Sequence, residues 1–234
     1  MPFQWYFYDA GYILYIIPFM LLAFAAQIYI KSTYAKFSRV RNSTGLTGEQ
    51  VARYILDKNG LQHVRVKQVA GTLSDHYDPR TQVVSLSSGV YQSNSIAAAS
   101  IAAHEVGHAI QHSTNYLPLK IRASLVPVVT ISSSFMWIFI FAGFLFNYSN
   151  LVNIGILIFA ASVLFQIVTL PVEFNASSRA IKQLQQYNLV SPNEISGSKK
   201  VLTAAAFTYI AATIVAIAQL LRLIAVSGNR NSRD

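Results

Sequence analysis

Residues 11–30 read "GYILYIIPFMLLAFAAQIYI", twenty positions without one charged side chain. A helix needs about 20 apolar residues to cross the hydrocarbon core of a bilayer, and this run has that length. Two further uncharged runs follow, 123–146 ("ASLVPVVTISSSFMWIFIFAGFLF") and 151–172 ("LVNIGILIFAASVLFQIVTLPV"). A fourth, 201–221 ("VLTAAAFTYIAATIVAIAQLL"), is weaker because it is rich in Ala and Thr. The composition agrees: 53% of the chain is hydrophobic and 12% is charged, about half the usual charged share. A secretory signal is not expected at the first run, because no basic segment precedes it and the positive cluster comes after it. The expectation is a mostly α, multi-pass membrane protein.

A net charge of +9 is compatible with nucleic-acid binding, but its distribution points to a membrane instead. Lys31, Lys36, Arg39 and Arg41 follow the first run, and Lys120 and Arg122 precede the second. Arg179, Lys182, Lys199 and Lys200 lie between the third and fourth, whereas the short "NYSN" link at 147–150 has no charge. Membrane insertion leaves Lys and Arg on the cytoplasmic side. This predicts an outer N-terminus and an outer "NYSN" loop, with segments 31–122 and 173–200 inside. Anionic lipid headgroups would attract the flanking bases, so the bilayer itself is a partner and nucleic acid is not. A crossing at 201–221 would put Arg222, Arg230 and Arg233 outside, against the charge rule; a packed helix that does not fully cross removes the conflict. The chain has no cysteine, which excludes disulfides and thiolate metal ligands and suits a cytosolic working face.

Between the apolar runs the pattern changes. In "STGLTGEQVARYILDKNGL", Thr47 and Gln50 have capping-box spacing, Val51, Ile55 and Leu56 share a helical face, and Gly60 marks a stop. "HVRVKQV" alternates as a short strand with Val64 and Val66 on one face. "TLSDHYDPRTQVVSLSS" reads as two strands joined at "YDPR". An Ala-rich helix follows, with Ser93 to Ser95 as caps. The soluble part is therefore expected to be a small α+β unit of helix, antiparallel strands and helix, leaning on the membrane helices within a single domain, 1–234.

That second helix carries "AAHEVGHAIQH", residues 102–112, with three of the five histidines of the chain at four-residue intervals. His104 and His108 fall on one helical face and can reach one ion. Glu105 sits beside them, placed to take a proton from a water on the metal. This is His-Glu-x-x-His, two zinc ligands and a general base on one helix, and zinc brings the pKa of its water to about 7. Core histidines on an amphipathic helix are the plainer alternative, but Ala102, Ala103, Gly107 and Ala109 make a narrow helix that another element can approach closely. His112 lies two turns from His104, roughly 12 Å along the axis, too far to share the ion; it is expected to be a polar residue at the helix end.

A catalytic zinc usually has three protein ligands and one position for water. Glu49, Asp75, His76, Asp78 and Glu194 are candidates for the third. Glu173 stands apart, because it directly follows the third apolar run, where a carboxylate is costly without a partner. The short link between the second and third runs also brings it back to the side from which the histidine helix departs. The plainer reading is an exposed first-turn Glu favoured by the helix dipole after Pro171.

"AAHEVGHAIQH" followed by "PVEFNASSRA" at 171–180 resembles the YugP family of membrane zinc metallopeptidases. The likeness covers nearly the whole chain, including "LSDHYDPRTQVVSLS" and "LTAAAFTYIAA". More distantly the chain is similar to HtpX-like gluzincins, whose third ligand is the Glu of a Glu-Phe-x-Ala-Asp type motif. Glu173-Phe174-Asn175-Ala176 matches it, and Ser177 stands where those relatives have Asp, which exchanges a carboxylate for a hydroxyl in the support of the metal. The resemblance implies a zincin-like unit with His104, His108 and Glu173 on one Zn2+, Glu105 as base, and hydrolysis of protein or peptide substrates. The competing readings are a non-catalytic zinc-stabilised membrane scaffold and a transporter. A scaffold would fill a fourth ligand position and has no use for Glu105; a transporter would show several buried charges in its spans. Arg179 is a candidate for the electrophile that steadies the reacting carbonyl, or else a solvated charge.

Overall fold

The computed structural model describes residues 10–146 and 148–231; Asn147 of the "NYSN" link and Arg233 lie outside them. Among the described residues, seven helices and three strands follow in the order α1 (Ala10–Phe37), α2 (Gly48–Lys58), β1 (Arg65–Val69), β2 (His76–Asp78), β3 (Val83–Ser87), α3 (Ser88–Tyr91), α4 (Ile96–Ser113), α5 (Leu117–Leu145), α6 (Ser149–Gln186) and α7 (Ile195–Asn231). The described chain forms two compact units. One contains Ile121–Leu170 with the described parts of Met1–Ala26 and Thr208–Asp234, and the other contains Gln27–Lys120 and Pro171–Phe207.

The first unit is an apolar helical assembly. Among the described residues, three helices are long and apolar enough to cross a membrane: Tyr15–Phe37, Ser149–Gln186 and Ile195–Gly228. The weak fourth run of the sequence thus lies in a helix that qualifies, whereas the run at 123–146 qualifies only if Leu117–Thr130 and Phe135–Gly143 count as one bent span. Large side chains such as Phe24 and Leu157, 64% and 73% exposed, point outward, as they should if lipid is the solvent. Within the unit Met136, Ile140 and Leu223 form a buried cluster. Gly155 lets α5 and α6 approach, because a Cβ there would stand 2.5 Å from Ile140.

The second unit has its own core, in which Val51, Ile55 and Leu56 of α2 meet Val84 and Leu86 of β3 and the Ala-rich face of α4. α2 begins with the expected capping box: Thr47 accepts from the Gln50 backbone while the Gln50 side chain accepts from Thr47 N–H. Gly60, at φ +73, closes the turn after it, a conformation that costs other residues about 1–2 kcal/mol. Ser95 caps α4 by accepting from Ala98 N at 3.1 Å.

The sheet differs from the expected antiparallel arrangement. Its order is β1-β3-β2, with β2 antiparallel to β3 and β1 parallel to it, from Arg65 opposite Val83 to Val69 opposite Ser87. β3 is therefore the central strand, buried at all five positions, and Val84 is not on an open edge. β2 is one of the two edge strands, and it packs on α4.

Candidate metal centre

α4 supplies two imidazoles to the centre. His104 and His108 are one turn apart, and their rings meet edge to face with centroids 4.8 Å apart. α6 supplies Glu173, whose Oε2 is 3.2 Å from His104 Nε2 and 3.7 Å from His108 Nε2. Among the described residues these are the one group of three whose ligand atoms could hold a metal, all within 4.8 Å of one another. Ligands about 2.1 Å from a tetrahedral ion stand about 3.4 Å apart, and the separations of 3.2 and 3.7 Å lie on either side of that value. All three belong to the second unit.

The helices meet here because α4 is narrow. A Cβ on Gly107 would be 2.7 Å from the Ala176 carbonyl oxygen, so only glycine lets the backbone of α6 come this near. Ala176 is itself fully buried, three residues beyond Glu173.

Each of the two histidines is also held from behind. Ser177 Oγ lies 3.2 Å from His104 Nδ1, and Gln111 Oε1 lies 3.0 Å from His108 Nδ1. Both Nε2 atoms are thereby left toward Glu173. The hydroxyl of Ser177 is thus the group that faces Nδ1 of His104.

Glu105 is buried on the same helix, 7% exposed. Burial pushes its carboxyl above the ordinary range, and Glu173 and Asp75 push the same way against the two imidazoles. Burial works against a charged His108, yet Glu173 and Glu105 outweigh it and lift the imidazole above its usual value. The pocket favours positive charge.

The other candidates have structural partners. Asp75 accepts from Ser87 N at 2.7 Å and from Ser87 Oγ, and Asp78 closes the β2–β3 turn by accepting from Arg80 N and Thr81 Oγ1. Glu194 accepts from Ser43 Oγ and Ser191 N, and His76 Nδ1 lies 2.9 Å from the Ser74 carbonyl. Glu49 sits in the first turn of α2. His112, in the last turn of α4, shares a 2.9 Å hydrogen bond with Tyr77 Oη, which ties β2 to the helix. Burial and the nearby Asp78 push the Tyr77 phenol up to about 12, so it stays protonated. The contacts of Gln111 and Tyr77 are not among those expected from the sequence. Gln111 had one available signal, its i+3 spacing from His108.

A family model described as "Putative neutral zinc metallopeptidase" matches residues 12–228, nearly the entire chain. The chain belongs to this family. A protein of Bacillus subtilis (strain 168), described as "Putative membrane protease YugP", is 47% identical over 213 residues, which are 91% of this chain and 94% of that one. No solved structure matches. Two imidazoles and a carboxylate are the donor set expected in a zinc metallopeptidase, and three protein ligands leave the fourth position to water or substrate.

Proposed function

We propose that the chain is a membrane-embedded zinc endopeptidase of the gluzincin type, one domain over 1–234, which cleaves protein substrates at the cytoplasmic membrane face. The observation that carries the reading is the convergence of His104, His108 and Glu173, ligand atoms within 4.8 Å of one another, beside the buried carboxylate of Glu105. Two helices 69 residues apart in sequence present these groups to one point, and the family is one of zinc peptidases.

In this reading His104, His108 and Glu173 hold the ion. Zinc, when bound, acts as a Lewis acid that polarises the scissile carbonyl and brings the pKa of water to about 7. Glu105 is one residue past the first ligand, beside the metal and not on it. It takes the proton of the attacking water and passes it to the leaving amine. A substrate chain in extended form can lie along β2, an edge strand docked on α4 through Tyr77 and His112, and be held by main-chain hydrogen bonds. The cytoplasmic orientation is supported by the basic residues that flank the apolar runs.

The test compares detergent-solubilised wild type with Glu105→Gln for zinc content and for cleavage of an unfolded protein. Both should carry about one equivalent of zinc, since the amide still sits beside the metal, and only wild type should cleave. Zinc in both with cleavage in neither would favour the scaffold. Cleavage by both would remove Glu105 from the chemistry.

A further inference from the structure

Gln111 has no exposed surface, although it is a long polar residue on a helix. An amide buried without partners is destabilising, so a buried glutamine has to be read through its hydrogen bonds. Its Oε1 lies 3.0 Å from His108 Nδ1. Its Nε2 donates to the Val172 carbonyl at 2.8 Å and to Asn175 Oδ1 at 3.0 Å. Val172 and Asn175 stand on either side of Glu173 on α6.

These bonds have one consistent polarity. A backbone carbonyl only accepts, so Val172 fixes which end of the Gln111 amide is nitrogen. A guanidinium only donates, and Arg179 Nε reaches Asn175 Oδ1 at 2.8 Å, which turns the asparagine oxygen toward Gln111. The oxygen of Gln111 is then the atom that faces His108, and it accepts only from a protonated Nδ1. In the neutral ring that a metal requires, the lone pair is then left on Nε2, the nitrogen that looks toward Glu173.

We propose that Gln111 is the positioning residue of the zinc site: it holds His108 in the Nδ1–H tautomer and registers the histidine helix against the Glu173 helix. Its polarity is set by the Val172 carbonyl and, through Asn175, by Arg179. Arg179 is accordingly the outer anchor of this chain, acting through two side chains, and not an electrophile at the reacting carbonyl. The inference rests on the zinc assignment above and adds the group that makes His108 a competent ligand.

Zinc affinity, measured by chelator competition on the full-length protein in detergent, separates this role from simple packing. Gln111→Met removes both polar ends at similar volume and should weaken zinc binding about 10- to 100-fold. Gln111→Glu keeps an acceptor for Nδ1–H but turns an acceptor toward Val172 and Asn175. It should bind zinc within about threefold of wild type while unfolding at a lower temperature. A bridge that only holds the helices predicts the reverse order, with Glu the worse variant, and that order overturns the proposal. So does wild-type affinity in Gln111→Met. If the Gln111 variants do not fold, Asn175 decides: Asn175→Asp preserves both accepted bonds and should keep its zinc, whereas Asn175→Leu should lose affinity. Equal affinity in the two overturns the proposal. A wild-type chain that takes up no zinc, or a His108→Ala variant that keeps it at full affinity, refutes the site assignment instead, and is read from the same titrations.

Discussion

Gly107→Ala adds one methyl group at the tightest approach between α4 and α6. The new Cβ would stand 2.7 Å from the Ala176 carbonyl oxygen and 3.3 Å from its carbonyl carbon and Cα. Ordinary contact begins at 3.4 Å, so the two helices must part by about 0.7 Å here. Every contact is with backbone, and no side chain can swing aside. Overpacking of this kind costs about 1–3 kcal/mol, while alanine is the better helix former by about 1 kcal/mol. The net loss of stability is therefore modest, about 0–2 kcal/mol. The metal should respond more sharply. Glu173 is one turn before Ala176, and metal–ligand distances tolerate only about 0.2 Å, less than a third of the displacement. Zinc affinity, measured by chelator competition, should fall at least about 10-fold in a protein whose unfolding temperature moves by only a few degrees. Gly228→Ala is the control, since a Cβ there meets nothing within 4 Å. A Gly107→Ala protein with wild-type zinc affinity would refute the argument, because α6 would then not be seated by this contact.

Glu173→Ala removes a proposed ligand and should lower zinc affinity itself, in contrast to Glu105→Gln. If Glu173→Ala keeps full-affinity zinc, the third ligand is elsewhere. Removing zinc from the wild type with a chelator should lower its unfolding temperature, because an ion present at about 1,000 times its dissociation constant stabilises by about 4 kcal/mol; an unchanged temperature would mean that the ion does not link α4 to α6. A cysteine placed at Asn147 should react with an impermeant thiol reagent in intact cells and one at Ser43 should not, and the opposite pattern would invert the topology. Thr47→Ala deletes the capping box of α2 and should cost about 1 kcal/mol in chemical denaturation, with zinc content unchanged.

The sequence carried those features whose physics is local. Twenty uncharged residues are a span by length alone, and His104 and His108 share a face because the helix repeats every 3.6 residues. Thr47, Gln50 and Gly60 announce the ends of α2 by chemistry confined to one turn. Strand direction has no such local mark. "HVRVKQV" alternates identically whether its neighbour runs parallel or antiparallel, so the parallel pairing of β1 with β3 was not legible, nor was the central place of Val84. The relative strength of the apolar runs also misled, since α7 has the continuous helix that the Ala-rich run did not promise. Gln111 shows the limit most clearly. On its own helix it reads as a polar residue bound for solvent; its meaning comes from Val172 and Asn175, more than 60 residues away.

On the proposed zinc assignment, the groups behind the two histidines also bear on the resemblance to HtpX-like sequences, which have Asp at the position of Ser177. The pocket already holds Glu105 and Glu173, with Asp75 near enough to act on Glu105. Two of these carboxylates balance the charge of one divalent ion. A further carboxylate at 177 would make the imidazole of His104 a stronger donor, but it would add a buried anion, whose desolvation costs several kcal/mol, and would reduce the pull of the metal on a carbonyl oxygen. A hydroxyl and an amide orient both rings through their Nδ1 atoms and add no charge. With zinc held as proposed, neutral acceptors would supply orientation and the two glutamates charge balance, a division that would keep the ion electrophilic. On this view the exchange of Asp for Ser at 177 is compatible with hydrolysis, because Ser177 still occupies the one direction from which the tautomer of His104 can be set.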